Sequence, residues 1–383
     1  MKKIFYWSPH LSNVATIKNV INSAKSLKRF NDKEYEISII DTFGEWKDKK
    51  DILNQYKISV LKLSNLNLRK YLPVTGYLKS RIFNLIILFT KYIPLKRLLK
   101  KEKPDFFLMH LITVVPLIIL FFSKEKTKFI LRISGLPKLN FLRKILWRII
   151  SKKIFLVTCP SNQTKNDLLR LNIFPKDKLK VLYDPIIEVK EISKKLEKDI
   201  PEKLKNKKYF LNIGRLTEQK NQILLVKTFQ KILKKNQDLY LYIIGEGEEK
   251  NKLQSYIKLN NIQNNIYFLG QIDNVYPFIK NSLAIVSTSI WEDPGAVMIE
   301  SSFCGKPVIV SNCPNGPEEF LLNGEGGYLF LNNSFEDLES KMFAFLNDEI
   351  KNINSKILLS KKNSKKYSMF SHYKKLHQYL RIK

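Results

Sequence analysis

Two glutamates eight residues apart, Glu292 and Glu300, stand in SIWEDPGAVMIESSFCGKPVIVSN, a stretch that reads loop, helix, strand. Glu292, Asp293, Pro294 and Gly295 precede a helical pattern that opens near Ala296. The first backbone N–H groups of a helix have no partner inside it, so an anion can dock at that mouth. Glu300 comes about a turn and a half into the same helix, within reach of its mouth. A helix start favours a diphosphate, while carboxylates accept hydrogen bonds from sugar hydroxyls, so one ligand carrying both groups satisfies the whole stretch. Taken alone, the pair also fits an acid on a helix dipole plus a solvated glutamate.

Two cations occur at a second strand end. In NIGRLTEQKNQILLVKTF a β-run closes at Gly214 and is followed by Arg215 and, five residues on, Lys220. A diphosphate that leaves a sugar gains negative charge as its bond breaks, and preorganised Arg and Lys stabilise that charge without a metal. The bland alternative is a strand-to-helix loop with ordinary surface charges. A third strand runs into Gly245, Glu246 and Gly247, where glycine permits close backbone approach. The spacing is not G-x-G-x-x-G, so a dinucleotide fingerprint is absent. Further on, NGPEE (Asn315 to Glu319) puts a glycine turn ahead of two acids that also suit a helix start.

Together these segments resemble the retaining glycosyltransferases of family 4, which adopt the GT-B fold. The likeness is carried by EDPGAVMIESSFCGKPVIVSNCPNGPEE, with its Glu-x7-Glu spacing, and by the segments around Arg215 and Gly245, and it covers Tyr209 to Phe330. It implies an α/β protein of two Rossmann-like, doubly wound domains facing across a cleft. It also implies that Glu300 holds the nucleotide ribose, that Glu292 lies beside the donor sugar, and that Asp293 to Ala296 run along the transferred sugar. Arg215 and Lys220 would stabilise the leaving group, and the turn at Gly214 and Gly245–Gly247 would border the nucleotide. Retention of configuration follows from the same resemblance, by front-face attack assisted by the departing phosphate. The first loop, SPHLSNVAT, lacks the glycine pair many members have, and Ser134 stands where many have histidine. Candidate acceptor-binding residues are therefore His10, Ser12, Asn13, His110 and Ser134, at the ends of expected strands.

The elements that must position these residues follow from hydropathy. Short β-rich runs alternate with helical patterns, which signals βαβ units and a mostly parallel sheet. In the first half the strands are expected at Lys3 to Trp7, Glu36 to Ile40, Asp105 to Leu111, Lys128 to Ile133, Phe155 to Thr158 and Lys180 to Leu182. In the second they are expected at Tyr209 to Ile213, Leu239 to Ile244, Ile266 to Leu269, Leu283 to Ser287, Pro307 to Val310 and Gly327 to Phe330. The organisation expected is an acceptor-binding domain over 1–185, a polar linker over 186–206, a donor-binding domain over 207–345, and a basic helical tail over 346–383 that packs back on the first domain. Such sheets bind ligands beyond the carboxyl ends of their strands.

Composition narrows the partners. The chain has 383 residues and a net charge of +32, unevenly spread: residues 1–206 hold 43 Lys and Arg against 18 acids, residues 207–345 hold 14 against 15, and residues 346–383 hold 10 against 2. No acid occurs from Ile52 to Lys101 or from Lys126 to Asn166, and FLRKILWRIISKK alternates apolar and basic residues at helical spacing. A genome-wide lysine bias would load the middle segment too, so attraction to an anionic membrane surface or a phosphate-bearing acceptor is preferred.

The expected partners are a nucleotide sugar, with a UDP-sugar foremost, and a glycan or polyprenyl-diphosphate-linked acceptor of surface polysaccharide assembly. Nucleic acid is not expected, since no RNA-binding motif occurs. Cys159, Cys304 and Cys313 form neither a disulfide framework nor a zinc pattern, no Asp-x-Asp occurs, and neither metal nor cofactor is expected. The N-terminus has too short an apolar run for a signal peptide, and Phe106 to Phe122 reads as a strand and a buried helix rather than a span. A cytoplasmic protein, peripheral on the inner membrane face, is the expectation. The rival readings are a nucleotide-sugar epimerase of the same architecture and a basic nucleic-acid-binding protein.

Overall fold

The computed structural model describes residues 1–10, 15–63, 77–123, 126–135, 139 and 141–382. Ser12 and Asn13 lie outside the described residues. The chain divides into two units, Met1–Pro185 with Met369–Lys383, and Ile186–Ser368.

The first unit holds strands β1 (Lys2–Trp7), β2 (Tyr35–Asp41), β3 (Ser59–Lys62), β4 (Phe106–Met109), β5 (Lys128–Arg132), β6 (Leu156–Cys159) and β7 (Leu179–Val181). Their order is β3-β2-β1-β4-β5-β6-β7, and every pair is parallel. Parallel strands are covered on both faces, so they read as continuous apolar runs. FFLM of β4 is buried throughout. Alternate residues enter different cores, because successive side chains point to opposite faces. Phe5, Trp7, Phe107 and Met109 join one cluster, while Ile4, Tyr6, Phe106 and Leu108 join the other. Helices α3 (Tyr77–Glu102), α4 (Val114–Phe122) and α5 (Phe141–Ser151) feed the first cluster, and α1 (Ala15–Asn31) with α15 (Met369–Leu380) feeds the second. Strand β3, SVLK, was not expected: it is a four-residue edge strand with one serine and one lysine, too short and too polar to signal itself.

The second unit holds β8 (Lys208–Ile213), β9 (Leu239–Ile244), β10 (Ile266–Gly270), β11 (Ala284–Ser287), β12 (Val308–Asn312) and β13 (Tyr328–Leu331), ordered β10-β9-β8-β11-β12-β13 and all parallel. Its helices are α7 (Val189–Leu196), α8 (Gln222–Leu233), α9 (Lys250–Leu259), α10 (Tyr276–Asn281), α11 (Ala296–Phe303), α12 (Pro317–Phe320), α13 (Phe335–Leu346) and α14 (Ile350–Ser364). Helix α6 (Asn162–Arg170) belongs to the first unit, as does the short α2 (Lys50–Gln55). Both sheets are doubly wound and Rossmann-like, and strand order reverses between β1 and β4 in one and between β8 and β11 in the other.

Two expected boundaries differ from the structure. Residues 186–206 are folded into the second unit: Ile186, Ile187, Ile192, Ile200 and Leu204 are buried, Asn274 Nδ2 donates to the Lys195 carbonyl, and Ile187 N donates to Tyr367 O. The polar surface of this stretch masked its few buried aliphatics. The tail is split: α14 packs on α11 in the second unit, and only α15 joins the first, against α1.

Burial of His372 in α15 fixes how that helix is held. Its Nδ1 lies 2.7 Å from the Tyr183 carbonyl, which only accepts, so Nδ1 carries the proton. Nε2 then accepts from Ser23 Oγ at 2.9 Å, and Ser23 in turn accepts from the Tyr6 hydroxyl at 2.9 Å. Burial pulls the His372 imidazole down to about 4 from its ordinary 6.5. The unfolded chain therefore binds a proton that the native one refuses, and stability falls as pH drops below 6.5 toward 4. Urea midpoints across this window are expected to decline for the native protein, whereas His372→Gln, weaker at neutral pH, shows a shallower decline; an equal slope in both would contradict this arrangement.

Candidate functional site

In the second unit the chemistry-bearing residues gather on the loops that leave β8 and β11, the two strands flanking the reversal of order. Right-handed crossovers carry the chain away from these neighbours in opposite directions, which leaves a crevice beyond their carboxyl ends. The β8 loop supplies Arg215 and Lys220, and the β11 loop supplies Ser289 and Glu292.

Lys220 Nζ donates to Glu292 Oε1 at 2.5 Å, bridging the two loops, and the Ser289 hydroxyl donates to the same oxygen at 2.6 Å. Both side chains of the ion pair are largely shielded from solvent. The loops are fastened beneath this contact. Thr288 Oγ1 donates to the carbonyls of Lys220 and Asn221, Ile290 N donates to Gln219 O, and Gln219 Nε2 donates to Trp291 O. Asn332 Nδ2 donates to Ile290 O from beyond β13. Arg215, by contrast, is exposed and makes no ion pair among the described residues, while its carbonyl is held by Gln222 Nε2 at 2.9 Å. The site thus offers one committed cation and one uncommitted one.

Gly245 and Gly247 have a backbone reason for being glycine. A Cβ on Gly245, whose φ is +140°, would sit 1.9 Å from Gly214 O, and one on Gly247 would sit 2.2 Å from Leu216 O. The turn after β9 therefore clasps the β8 loop, with Leu216 N donating to Glu246 O and Glu249 N to Leu216 O. The side chain of Glu246 is occupied by Lys250 Nζ at 2.9 Å. Over Gly214 lies the aliphatic stem of Lys220, 3.6 Å from where a Cβ would be.

The mouth of α11 is built from EDPG. The Asp293–Pro294 bond is cis, and Gly295 takes φ +91° as the residue before the helix. Gly295, the residue at the cap position, has no side chain to offer the helix start. Gly316, with φ +152°, fits tightly against Pro294: a Cβ there would meet the Pro294 carbonyl oxygen at 2.5 Å. Glu292 N donates to Pro314 O, so the residue just ahead of NGPEE also holds the loop. Cys313 nearby has its thiol pushed up to about 12 by burial and the Glu292 charge, which leaves it unreactive. Glu300 faces inward from α11, buried, and accepts a hydrogen bond of 2.9 Å from the Tyr276 hydroxyl on α10. Burial, then the charge of Glu300, pushes the Tyr276 phenol well above its ordinary value, so it remains a donor.

Ser289 and Tyr276 were not expected from sequence. Ser289 precedes Glu292 by three residues, a spacing that suits a side-chain contact in a loop. Tyr276 is 24 residues from Glu300 on another helix and left no local signal.

In the first unit, His110 follows β4 with its ring stacked on Tyr6, centroids 6.0 Å apart, and burial holds its imidazole down near 3. It is neutral at physiological pH and serves poorly as a proton donor. His10 is buried, with Nδ1 3.0 Å from Ser8 O and its ring edge-on to Trp46. Ser134 is exposed just past β5. Arg132 is committed to Asp184 at 2.5 Å and to the Leu182 carbonyl. Among the described residues no group of three His, Cys, Asp or Glu gathers as metal ligands.

Residues 193–365 match the family of glycosyl transferases group 1. An uncharacterized glycosyltransferase of Methanocaldococcus jannaschii is 32% identical over 242 residues, 59% of this chain and 60% of the relative. A Campylobacter jejuni GalNAc-alpha-(1->4)-GalNAc-alpha-(1->3)-diNAcBac-PP-undecaprenol alpha-1,4-N-acetyl-D-galactosaminyltransferase is 26% identical over 322 residues, 83% of this chain and 82% of the relative. The match spans 60% of the Methanocaldococcus relative's own length, and 30% and 56% of two further curated relatives. In fold, the chain is similar to Anabaena HepE in complex with UDP-glucose, with TM-score 0.74, 16% identity and 99% of each chain covered. The fold is that of the GT-B glycosyltransferases.

Gly245→Ala tests whether the clasp holds the Arg215 loop. Its Cβ cannot coexist with Gly214 O, so a loss on the order of 2 kcal/mol in unfolding free energy is expected. Lys250→Ala, which removes only the partner of Glu246, is expected to cost less than about 1 kcal/mol; urea titration of both variants checks this.

Proposed function

We propose that the protein is a glycosyltransferase that moves a hexose-type sugar from a nucleoside diphosphate sugar, with UDP-sugars foremost, to a glycan or polyprenyl-diphosphate-linked acceptor, with retention of configuration. The observation that carries this reading is the arrangement at the reversal of strand order: an exposed Arg215 with no ion pair among the described residues, a Lys220 paired to a Glu292 that also accepts from Ser289, and the glycine-led mouth of α11. The match of 193–365 to the glycosyl transferases group 1 supports it, as do UDP-glucose in the Anabaena structure and the PP-undecaprenol acceptor in the Campylobacter relative's name.

In this reading the diphosphate takes Lys220 and Arg215 as counter-ions and receives N–H groups at the start of α11. Glu292, released from Lys220, accepts hydrogen bonds from the donor sugar. Glu300, oriented by Tyr276, holds the ribose hydroxyls. The acceptor hydroxyl oxygen attacks C1 from the face that the phosphate leaves; the C1–O bond to phosphate breaks, and the acceptor proton passes to the departing phosphate oxygen. No protein nucleophile is required. The role of surface polysaccharide assembly belongs to the same proposal and follows the acceptors of the relatives.

Lys220→Ala and Glu300→Ala are each expected to lower sugar transfer by about 100-fold or more, since each removes a group aimed at the reacting or bound donor. Circular dichroism is expected to stay native. Turnover equal to that of the unmodified protein in both variants would falsify the assignment. Proton NMR of the product's anomeric centre reads retention, and sugar conversion without any acceptor would instead favour an epimerase.

A further inference from the structure

The outer side of α3, α4 and α5 carries apolar residues that no core cluster uses. On α3, Leu85, Phe89 and Ile93 recur every four residues and are 54%, 78% and 54% exposed. On α5, Phe141, Ile145 and Ile149 repeat the spacing at 76%, 37% and 47%. Between them α4 ends in Phe121 and Phe122, the latter 65% exposed. The same helices already bury Leu95 and Leu99, Val115 and Leu117, and Trp147 and Ile150 against the sheet, so these exposed rows are additional to the core. The three helices adjoin in the order α3, α4, α5, and Lys153 Nζ donates to the Phe121 carbonyl where α5 meets the end of α4.

Cations border the rows. Lys144 and Arg148, both exposed, run along α5 one residue ahead of Ile145 and Ile149, with exposed Lys152 just past its end, and Lys96, Arg97 and Lys100 continue α3 beyond Ile93. No acid lies in residues 52–101 or 126–166, which include nearly all of both helices.

We propose that α3, α4 and α5 form a docking face for an anionic lipid bilayer, which the two rows and the Phe121–Phe122 corner enter at the boundary between headgroups and acyl chains. Each row spans about 12 Å along its helix, the geometry of an interfacial rather than a spanning element. Among the described residues no helix is long and apolar enough to cross a membrane. Charge selects the occupant. A second copy meeting this face on itself would bring cations against cations. A nucleic acid would satisfy the cations and leave the aliphatic rows in water. An anionic bilayer satisfies both at once. The docking needs no catalysis and rests on the proposed function only for its purpose, access to a lipid-linked acceptor.

Two forces then act with different salt responses. Lysine attraction to anionic headgroups is screened, whereas insertion of apolar side chains is not. The full-length protein is therefore expected to sediment with vesicles of phosphatidylethanolamine and phosphatidylglycerol, and a substantial bound fraction is expected to persist between about 0.1 M and about 1 M NaCl. The triple variant Phe89→Ser, Phe122→Ser, Phe141→Ser changes only exposed side chains. It is expected to retain binding at the low salt and to lose it at the high salt, with at least a tenfold weaker apparent affinity on the order expected when several apolar anchors are removed. Lys144→Glu with Arg148→Glu is expected to impair capture at the low salt. Indifference of the native protein to these vesicles, complete release at high salt, or unchanged high-salt binding by the triple variant overturns the proposal. So does a dimer in sedimentation velocity that the triple variant dissociates, which would make the face a contact between copies. UDP calorimetry on the same samples separates failure of docking from failure of the donor site.

Discussion

The ion pair between Lys220 and Glu292 joins two loops that the sheet itself drives apart. Strand β8 continues through α8 to β9 on one side, and β11 continues through α11 to β12 on the other, so the chain leaves two adjacent strand ends in opposite directions. The crevice is a consequence of parallel pairing and right-handed crossover, before any side chain is considered. What side chains add is charge of chosen sign at its two lips. A contact of 2.5 Å between groups 72 positions apart, both mostly shielded, fixes those lips relative to one another. Thr288, Gln219 and Asn332 bind the backbone beneath, so the pair rests on loops that are already fastened.

Backbone against backbone provides the rest of the rigidity. The turns at Gly245, Gly247 and Gly316 approach other main-chain carbonyls so closely that no Cβ fits. Side-chain packing can slip between rotamers, whereas two peptide units in contact have little freedom left. The glycines that the sequence offered as ligand-facing are thus explained first by loops facing loops. The ligand-facing consequence is indirect: the β8 loop, gripped by Gly245 and Gly247, presents an exposed Arg215 that makes no ion pair among the described residues.

Much of this was legible beforehand because parallel strands advertise themselves. Runs such as FFLM, LYLYII and VIVSN are apolar on both faces, and the expected strands lie within a few residues of the observed ones. Glu292 and Glu300 could be placed on a loop and a helix from spacing alone, but not their partners, because Lys220 and Tyr276 reach them through tertiary packing. The stretch from Ile186 to Leu204 misled for the opposite reason: Pro, Lys and Glu dominate its surface while five aliphatics, irregularly spaced, carry its attachment. The histidines were placed at strand ends correctly, yet burial, which decides whether an imidazole titrates near neutrality, has no sequence signal. His110 lies half-buried on Tyr6 and His10 buried against Trp46.

The commitment of Lys220 has an energetic meaning for the proposed chemistry. A half-buried lysine without a partner would bear a desolvation cost, which the Glu292 carboxylate offsets. In the proposed reading, a diphosphate that draws Lys220 toward itself weakens the hydrogen bond that Glu292 Oε1 receives from the ammonium, while the Ser289 hydroxyl stays on the same oxygen. A sugar hydroxyl placed beside the phosphate is a donor that replaces the weakened bond. An inorganic diphosphate offers the cations only its charge, whereas a sugar nucleotide brings hydroxyls for the carboxylate as well. On the proposed function the ion pair then favours the intact donor, and Arg215, exposed and without an ion pair among the described residues, would supply the first attraction.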